Sequence, residues 1–140
     1  MTTTRTLRSG SLEVTLSFKE ERLTAIDLPT EVPEDLTLAD LEEINTQLAE
    51  YECALDHGGA FIRKVWERMR SIPRGSVLTY GELAAELENA RACRAVGQAC
   101  ATNRLLLMVP CHRVVADSGL GGFRLGLDWK RKLLELEAQC

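Results

Sequence analysis

The chain has 140 residues, 45% of them apolar, which is enough for a compact fold with a buried core. It has no run of 18 apolar residues, which excludes a membrane-spanning helix, and its first residues lack the apolar centre of a secretory signal, so we expect a cytoplasmic protein. Residues 1–57 carry 13 acidic and 4 basic side chains, whereas residues 58–140 carry 8 and 13. The basic second part has the sign of charge that binds nucleic acid, although chance would explain the asymmetry equally well.

The cysteine pattern argues against a disulfide framework and against a structural metal site. Five cysteines are an odd number, no two are spaced as Cys-x-x-Cys, and only two histidines accompany them. Secreted disulfide-rich domains carry paired cysteines, and structural zinc sites combine cysteine and histidine at short, regular spacings. We therefore expect no bound metal.

The N-terminal part of the chain predicts a β-hairpin followed by a helix. Apolar and polar residues alternate over residues 12–18, which is the period of a half-buried strand, and residues 23–28 can form its partner. The polar residues 19–22 make the turn between them. Apolar residues then recur at steps of three and four over residues 37–55, which indicates an amphipathic helix that Gly58 ends.

Three helices are predicted in the middle of the chain. The first covers residues 61–69, where the apolar side chains form one stripe. A threonine and a glutamate three residues apart form a capping box, so the second helix should begin at Tyr80. A third helix is expected over residues 92–101, and two short helices joined by a tight turn are typical of a helix-turn-helix.

The third of these helices combines small side chains with arginine. Residues 90–101 are mostly alanine, glycine and cysteine, with Arg91 and Arg94 near the helix start. Small side chains allow a helix backbone to approach another surface closely. That surface is either the protein core, with both arginines in water, or a nucleic-acid groove into which an arginine points. The segment alone leaves both interpretations open.

The apolar run of residues 105–109 predicts a buried strand or core segment that ends at a cysteine. Most cysteines in such a position are inert core residues. Here, however, His112 and Arg113 directly follow Cys111, and positive charge favours the nucleophilic thiolate. The sequence therefore marks Cys111 as a candidate nucleophile.

The end of the chain predicts a glycine-rich loop and a last helix. Four glycines lie within residues 119–126, in a loop that could close over a small ligand, and a helix is expected from Asp128, as its cap, to about Ala138. The predicted fold class is α+β. A small N-terminal hairpin-and-helix domain (residues 1–57) precedes a mostly helical domain with a helix-turn-helix (residues 58–140).

The segment Val109-Pro-Cys-His-Arg-Val-Val115 resembles the active-site signature of the O6-alkylguanine-DNA alkyltransferases, or methylated-DNA–protein-cysteine methyltransferases. The four residues Pro-Cys-His-Arg alone are moderately specific, whereas an ordered series of matches is highly specific. The predicted hairpin and helix before the matching series are similar to a shortened version of the family's N-terminal domain. The other matching segments, in family order, are Phe61-Ile-Arg-Lys-Val-Trp-Glu, Ile72-Pro-Arg-Gly, Leu78-Thr-Tyr-Gly-Glu-Leu-Ala84, Arg94-Ala-Val-Gly, Asn103, Gly121-Gly-Phe and Lys130-x-x-Leu-Leu-x-x-Glu137.

The resemblance implies a single transfer of an alkyl group from O6-alkylguanine in double-stranded DNA to Cys111. His112 would take the thiol proton through a bound water, and Glu137 would orient and polarise His112. Asn103 would brace the turn that carries Cys111. Tyr80 would donate to the leaving guanine and crowd the 3′ phosphate. No cofactor is implied, because the alkyl group stays on the sulfur as a thioether.

The resemblance also implies a mode of DNA binding. An O6-alkyl group lies inside the base stack, so the nucleotide must be flipped out, and Arg94 would fill the gap that it leaves. The helix that carries Arg91 would lie in the minor groove, where binding depends little on sequence. The small residues Ala92, Ala95 and Gly97 would allow this close approach.

The substrate pocket is expected beside the glycine-rich loop. The carbonyls of Cys111 and Val114 would read the exocyclic amine of guanine, Phe123 would line the pocket, and the backbone of Arg124 would approach the alkylated oxygen. Arg124 stands where the family usually has serine, and Leu125 interrupts a usual pair of glycines. These departures bear on which alkyl groups fit.

Three other functions stay open on the sequence. A non-catalytic module that senses alkylated bases is one, although relatives of that kind lack the cysteine. A helix-turn-helix regulator would bind a specific sequence reversibly, and a cysteine hydrolase would have only His57 as a separate histidine. The alkyltransferase interpretation predicts a monomeric DNA-repair enzyme that associates with the nucleoid when bound to DNA and has no membrane partner.

Overall fold

The computed structural model describes residues 2–54, 59–87 and 93–138, so the predicted domain boundary after residue 57 lies outside the described residues. The described part has the predicted α+β architecture, and it contains no helix that is long and apolar enough to cross a membrane. Its strands are β1 (Thr2–Ser9), β2 (Leu12–Lys19), β3 (Arg22–Asp27), β4 (Leu78–Thr79) and β5 (Val114–Val115), and its α-helices are α1 (Leu38–Leu48), α2 (Ala60–Arg70), α3 (Tyr80–Glu86), α4 (Cys93–Thr102) and α5 (Leu127–Glu137).

The N-terminal sheet contains the two predicted strands and one more. β2 and β3 pair as expected across a tight turn at Glu20 and Glu21, which both adopt positive φ. Alternate residues of β2, from Leu12 to Phe18, are buried in the core. The prediction missed β1, which pairs with β2 along its whole length. Because β1 is mostly exposed, no alternation of apolar residues marks it in the sequence.

Helix α1 is shorter than the predicted helix over residues 37–55. Thr37 caps its start with a capping box, and the helix ends at Leu48. Tyr51, which continues the helical pattern of apolar residues, lies outside the helix and packs against Phe18, with ring centroids 5.2 Å apart. An aromatic contact with the sheet thus takes the place of another helical turn.

The helices of the C-terminal part begin close to where the sequence predicts. α2 covers the predicted residues 61–69, and the predicted capping box starts α3 at Tyr80. α4 packs against both α2 and α3, and Trp66 fixes it by donating from Nε1 to the Ala99 carbonyl at 2.8 Å. Both helices of the predicted helix-turn-helix are therefore present. The turn predicted between them, at Asn89, lies outside the described residues, and so does Ala92, where the third helix was predicted to begin.

The segment before Cys111 connects the sheet to the rest of the molecule. The run of residues 105–109 lies in the core, as one of the two expectations had it, but it forms a turn and not a strand. Leu105 makes a single parallel bridge with Ile26 of β3. Leu107 has a φ of 75°, which interrupts the extended backbone that a longer ladder would need. The sheet therefore supports the loop that leads to Cys111.

Helix α5 closes the core at the end of the described chain. It begins at Leu127 with Gly126 as its N-cap, so the prediction that Asp128 caps this helix was wrong. Gly126 has a φ of 98°, which glycine adopts readily. Trp129 is buried and donates from Nε1 to the Pro29 carbonyl at 2.8 Å, which ties α5 to the chain after β3.

Candidate active site

Cys111 begins a short 3-10 helical turn, Cys111–Arg113, which leads directly into β5. β5 pairs in parallel with β4, so Val114 lies beside Leu78. Because α3 follows β4 without a gap, this pairing brings Tyr80 to the same region as Cys111. The 3-10 turn also bends the backbone, so Cys111 and its neighbour are not on opposite faces of an extended strand.

Asn103 holds the loop that carries Cys111. Its side chain is buried, and Nδ2 donates to the Val109 carbonyl at 2.8 Å and to Cys111 Sγ at 3.2 Å. Its Oδ1 accepts from the Leu105 backbone at 2.9 Å. One amide therefore closes the loop at both ends and contacts the thiol.

His112 and Glu137 form a buried pair on the other side of the turn. Nε2 of His112 lies 2.9 Å from Oε2 of Glu137, and both side chains are at most 5% exposed. Burial lowers the pKa of His112 from its ordinary value more than the carboxylate of Glu137 raises it. The imidazole is therefore neutral at neutral pH.

Arg113 is a third member of this buried group, and the sequence did not indicate its contact with Glu137. Its guanidinium donates to both carboxylate oxygens of Glu137, at 2.9 and 2.6 Å, and to the Ile72 carbonyl at 2.7 Å. Burial alone would raise the pKa of Glu137, but the hydrogen bonds from Arg113 and His112 outweigh it and hold the pKa at about 2. Glu137 is therefore ionised at every pH near neutrality.

Lys130 is a further buried residue of the site, and no role was predicted for it from the sequence. It is fully buried on α5, and Nζ donates to the carbonyls of Val114 at 2.7 Å and Gly122 at 2.9 Å. Burial lowers the pKa of this ammonium from its ordinary value. Lys130 precedes Glu137 by seven residues, so both lie on one face of α5, and a lysine on an apolar helical stripe was the signal that could have identified it.

A cavity of about 220 Å³ opens in front of Cys111. Gly121 stands beside it with a φ of 72°, and a Cβ there would come within 2.7 Å of the Tyr80 hydroxyl, so only glycine allows the loop to pass this close to the ring. Burial raises the pKa of Tyr80, which keeps the phenol protonated. The lining residues are Tyr80, Gly97, Cys100, Ala101, Cys111, Gly122, Phe123 and Arg124.

Burial decides the protonation of both cysteines in the cavity. It raises the pKa of Cys111 above its ordinary value, against the hydrogen bond from Asn103 and the positive charges of Lys130 and Arg124. It also raises the pKa of Cys100 to about 12. Positive charge was expected to favour the thiolate, and Lys130 and Arg124 do lower the pKa of Cys111, but burial outweighs them and the resting thiol is neutral. The guanidinium of Arg113, a neighbour named in that expectation, is engaged by the Glu137 carboxylate.

The structure brings together some of the predicted site residues and separates others. One cavity is lined by the predicted residues Cys111, Tyr80, Phe123 and Arg124. Asn103 is not part of this lining, but its side chain donates a hydrogen bond to the thiol. The predicted pocket residue Val114 is buried outside the described lining, and its carbonyl already accepts from Lys130. His112 and Glu137 also lie outside the lining and adjoin it only through the turn at Cys111.

Helix α4 presents its small residues and an arginine away from the core. Val96, Ala99 and Cys100 form its buried face, whereas Arg94 is exposed and Ala95 and Gly97 are partly exposed. A Cβ at Gly97 would meet no atom within 4 Å, so its surface is open. The predicted DNA contacts Arg91 and Ala92 lie outside the described residues.

Comparison with known protein families shows to which family the C-terminal part of the chain is similar. The DNA-binding domain of 6-O-methylguanine DNA methyltransferase matches residues 60–139, which is more than half of the chain. The chain belongs to the 6-O-methylguanine DNA methyltransferase family. The resemblance inferred from the Pro-Cys-His-Arg segment is thus confirmed, and the match includes the whole of the candidate site.

Members of this family resemble the chain in sequence and in fold. A methylated-DNA–protein-cysteine methyltransferase of Methanopyrus kandleri is 55% identical over 75 residues, which are 54% of this chain and 56% of that relative. The chain spans about half the length of the curated relatives it matches. A crystal structure of Mycobacterium tuberculosis O6-methylguanine methyltransferase is 30% identical, with a TM-score of 0.75 over 99% of this chain and 93% of the other. Another, of M. tuberculosis OGT in complex with DNA, is 32% identical, with a TM-score of 0.73 over 96% and 92%.

Proposed function

We propose that this protein repairs double-stranded DNA by moving an alkyl group from O6 of guanine to the sulfur of Cys111. The observation that carries the proposal is a buried thiol at the wall of a base-sized cavity, followed in the turn by the buried pair of His112 and Glu137. The related protein of Methanopyrus kandleri is named a methylated-DNA–protein-cysteine methyltransferase, which supports the same activity.

A base is needed because the resting thiol is neutral. Glu137 is ionised and can only accept, so the contact at 2.9 Å assigns the ring proton of His112 to Nε2. Nδ1 then keeps its lone pair and can take the proton of Cys111 through a water. The guanidinium of Arg113 fixes the carboxylate, so Arg113 and Glu137 are positioning residues for His112.

The transfer step is a displacement at the alkyl carbon. The Cys111 sulfur bonds to this carbon, the bond to O6 breaks, and its electron pair stays on guanine. Tyr80 has a phenol that remains protonated, so it can donate a hydrogen bond to the leaving guanine, which finally recovers the proton that the thiol gave up. The product is a thioether without a leaving group, so each molecule reacts once and needs no cofactor.

DNA binding is assigned to the exposed side of α4. The cavity admits a single base and not a duplex, so the alkylated nucleotide must leave the stack to reach Cys111. The exposure of Arg94 on α4 supports its role in filling the gap, and the small side chains of Ala95 and Gly97 would let the helix backbone approach the minor groove. Arg91 and Ala92 belong to the same proposed surface by their position in the sequence.

Intact-mass measurement tests the proposal. The full chain is incubated with a duplex that carries one O6-methylguanine, alongside Cys111→Ala and the control Cys53→Ala, whose thiol lies outside the cavity. We expect one added methyl group per molecule on the wild type and on Cys53→Ala, a plateau at that value, and none on Cys111→Ala. Tight lesion binding without any mass gain would show a damage-sensing module instead, and repeated turnover would rule out a suicidal acceptor.

A further inference from the structure

The lining of the cavity carries one kind of charge. Arg124 is its cationic residue, and none of the described lining residues is acidic. The other seven are uncharged when Cys111 and Cys100 are in the thiol form, which burial favours. The described cavity therefore presents a single positive group to whatever enters it.

Arg124 has hydrogen-bonding capacity to spare. Its Nη1 donates to the Asn103 carbonyl at 3.2 Å, and within the described part of the chain it has no carboxylate partner. A guanidinium has five N–H donors, so most of them remain for a ligand. The residue itself is exposed, whereas Asn103 is buried, so the guanidinium extends from the loop surface towards the interior of the site.

This cation lies close to the reacting sulfur. Asn103 accepts from Arg124 through its carbonyl and donates to Cys111 Sγ from its side chain, at 3.2 Å in both contacts. Lys130, the other cation near the thiol, already donates to two backbone carbonyls. Arg124 is thus the cation available to the part of an alkyl group that extends beyond the reacting carbon.

We propose that Arg124 makes this protein favour O6-alkyl groups that end in a carboxylate, with carboxymethyl as the simplest case. The inference rests on the proposed function and names a substrate class for it. A carboxylate would accept charge-assisted hydrogen bonds from the guanidinium, which are stronger than neutral ones. The same cation would offset the repulsion between the carboxylate and the sulfur as the sulfur gains negative charge.

The step itself balances as it does for a methyl group. The Cys111 sulfur bonds to the methylene carbon of the carboxymethyl group, and the bond from that carbon to O6 breaks. The electron pair stays on guanine, which takes up the thiol proton. The products are S-carboxymethylcysteine at Cys111 and unmodified guanine, and the carboxylate is carried over unchanged beside Arg124.

Single-turnover rates on two matched duplexes test this substrate class. One carries O6-carboxymethylguanine and the other O6-carbamoylmethylguanine, which has nearly the same shape and no charge. In Arg124→Gln we expect the ratio of the two rate constants, charged over neutral, to fall at least about tenfold, since one or two charge-assisted hydrogen bonds are lost. Arg124→Lys should recover part of the ratio, and the control Arg131→Gln, an exposed arginine on α5, should leave it unchanged.

An unchanged ratio in Arg124→Gln would overturn the inference. An equal slowing on both duplexes would overturn it too, because that is the result expected if Arg124 binds a phosphate of the DNA backbone. A duplex with O6-methylguanine separates a failure of this inference from a failure of the proposed function. If the wild type takes up no methyl group, alkyl transfer to Cys111 is itself rejected. In that case the role of Arg124 is tested by binding, with the affinities of Cys111→Ala for the charged and the neutral duplex. Adding Arg124→Gln to Cys111→Ala should lower the ratio of the two affinities, charged over neutral, at least about tenfold.

Discussion

The side-chain amide of Asn103 donates to the sulfur of Cys111 at 3.2 Å from a position that is itself buried. The same side chain satisfies the carbonyl of Val109 and the backbone N–H of Leu105. The side chain that contacts the thiol is therefore itself held in place by hydrogen bonds to the backbone. A buried amide with all of these contacts is expected to act as a brace for the loop.

Replacement of Asn103 by alanine should destabilise the protein by about 3 kcal/mol. The change leaves a backbone donor of Leu105 and an acceptor of Val109 without their partner in a buried loop. Urea unfolding measures the loss, and Asn45→Ala, an exposed position on α1, is the matched control, with an expected effect within about 0.5 kcal/mol. Equal effects of the two substitutions would show that Asn103 does not brace the loop.

The Glu137 carboxylate should make stability depend on acid pH. Its pKa is held at about 2, below the ordinary value of 4.5, so its contribution is present above pH 4.5 and is lost as the pH falls from there towards 2. The full contribution is about 3 kcal/mol. The difference in unfolding free energy between the wild type and Glu137→Gln should therefore be large near neutrality and shrink below pH 4.5. The control Glu135→Gln, exposed on the same helix, should show no such change, and a constant difference for Glu137→Gln would contradict the assignment.

The transfer rate should report the protonation of His112. Burial lowers the pKa of His112 below 6.5 and raises the pKa of Cys111 above 9.0, so the imidazole and the thiol are both neutral between these values. We expect the single-turnover rate to rise with pH through the lowered histidine pKa and then to stay level to about pH 8.5. In His112→Gln the rate should instead rise about tenfold per pH unit, as for a preformed thiolate. DNA affinity measured at each pH separates binding from chemistry, and a wild-type rate that rises steadily would exclude His112 as the base.

Elements with a local signal in the sequence were predicted well. The alternation of β2 and the capping box of α3 depend on residues that are close in the chain, and both predictions are confirmed. β1 has no such signal, since it gains its order from pairing with β2. The end of α1 was placed too late because Tyr51 fits the helical period but packs against Phe18, which lies far away in sequence. At β1 the local sequence carries no signal, whereas at the end of α1 a tertiary contact overrides the local pattern.

The candidate site shows the same division. The family signature singled out Cys111 and Asn103, and the fold brings them into contact. The partner of Arg113 could not be read from its position beside the thiol, because Glu137 comes from a helix that only the folded chain brings close. The candidate nucleophile could therefore be predicted from the sequence. The hydrogen bonds that join Arg113 to Glu137 could be identified only from the three-dimensional structure.

Lys130 should matter more for the transfer rate than for stability. Its ammonium joins β5 to the glycine-rich loop through the carbonyls of Val114 and Gly122, and Lys130→Met keeps the apolar stem while removing both hydrogen bonds. Methionine avoids the cost of burying a charge, so the loss of unfolding free energy should be limited to about 1–2 kcal/mol. The loop that carries Arg124 loses its anchor, so we expect the single-turnover rate to fall at least about tenfold and amide exchange over residues 119–126 to become faster. Lys132→Met is the control on the same helix. A normal rate together with unchanged amide exchange in Lys130→Met would show that this lysine only fills space in the core.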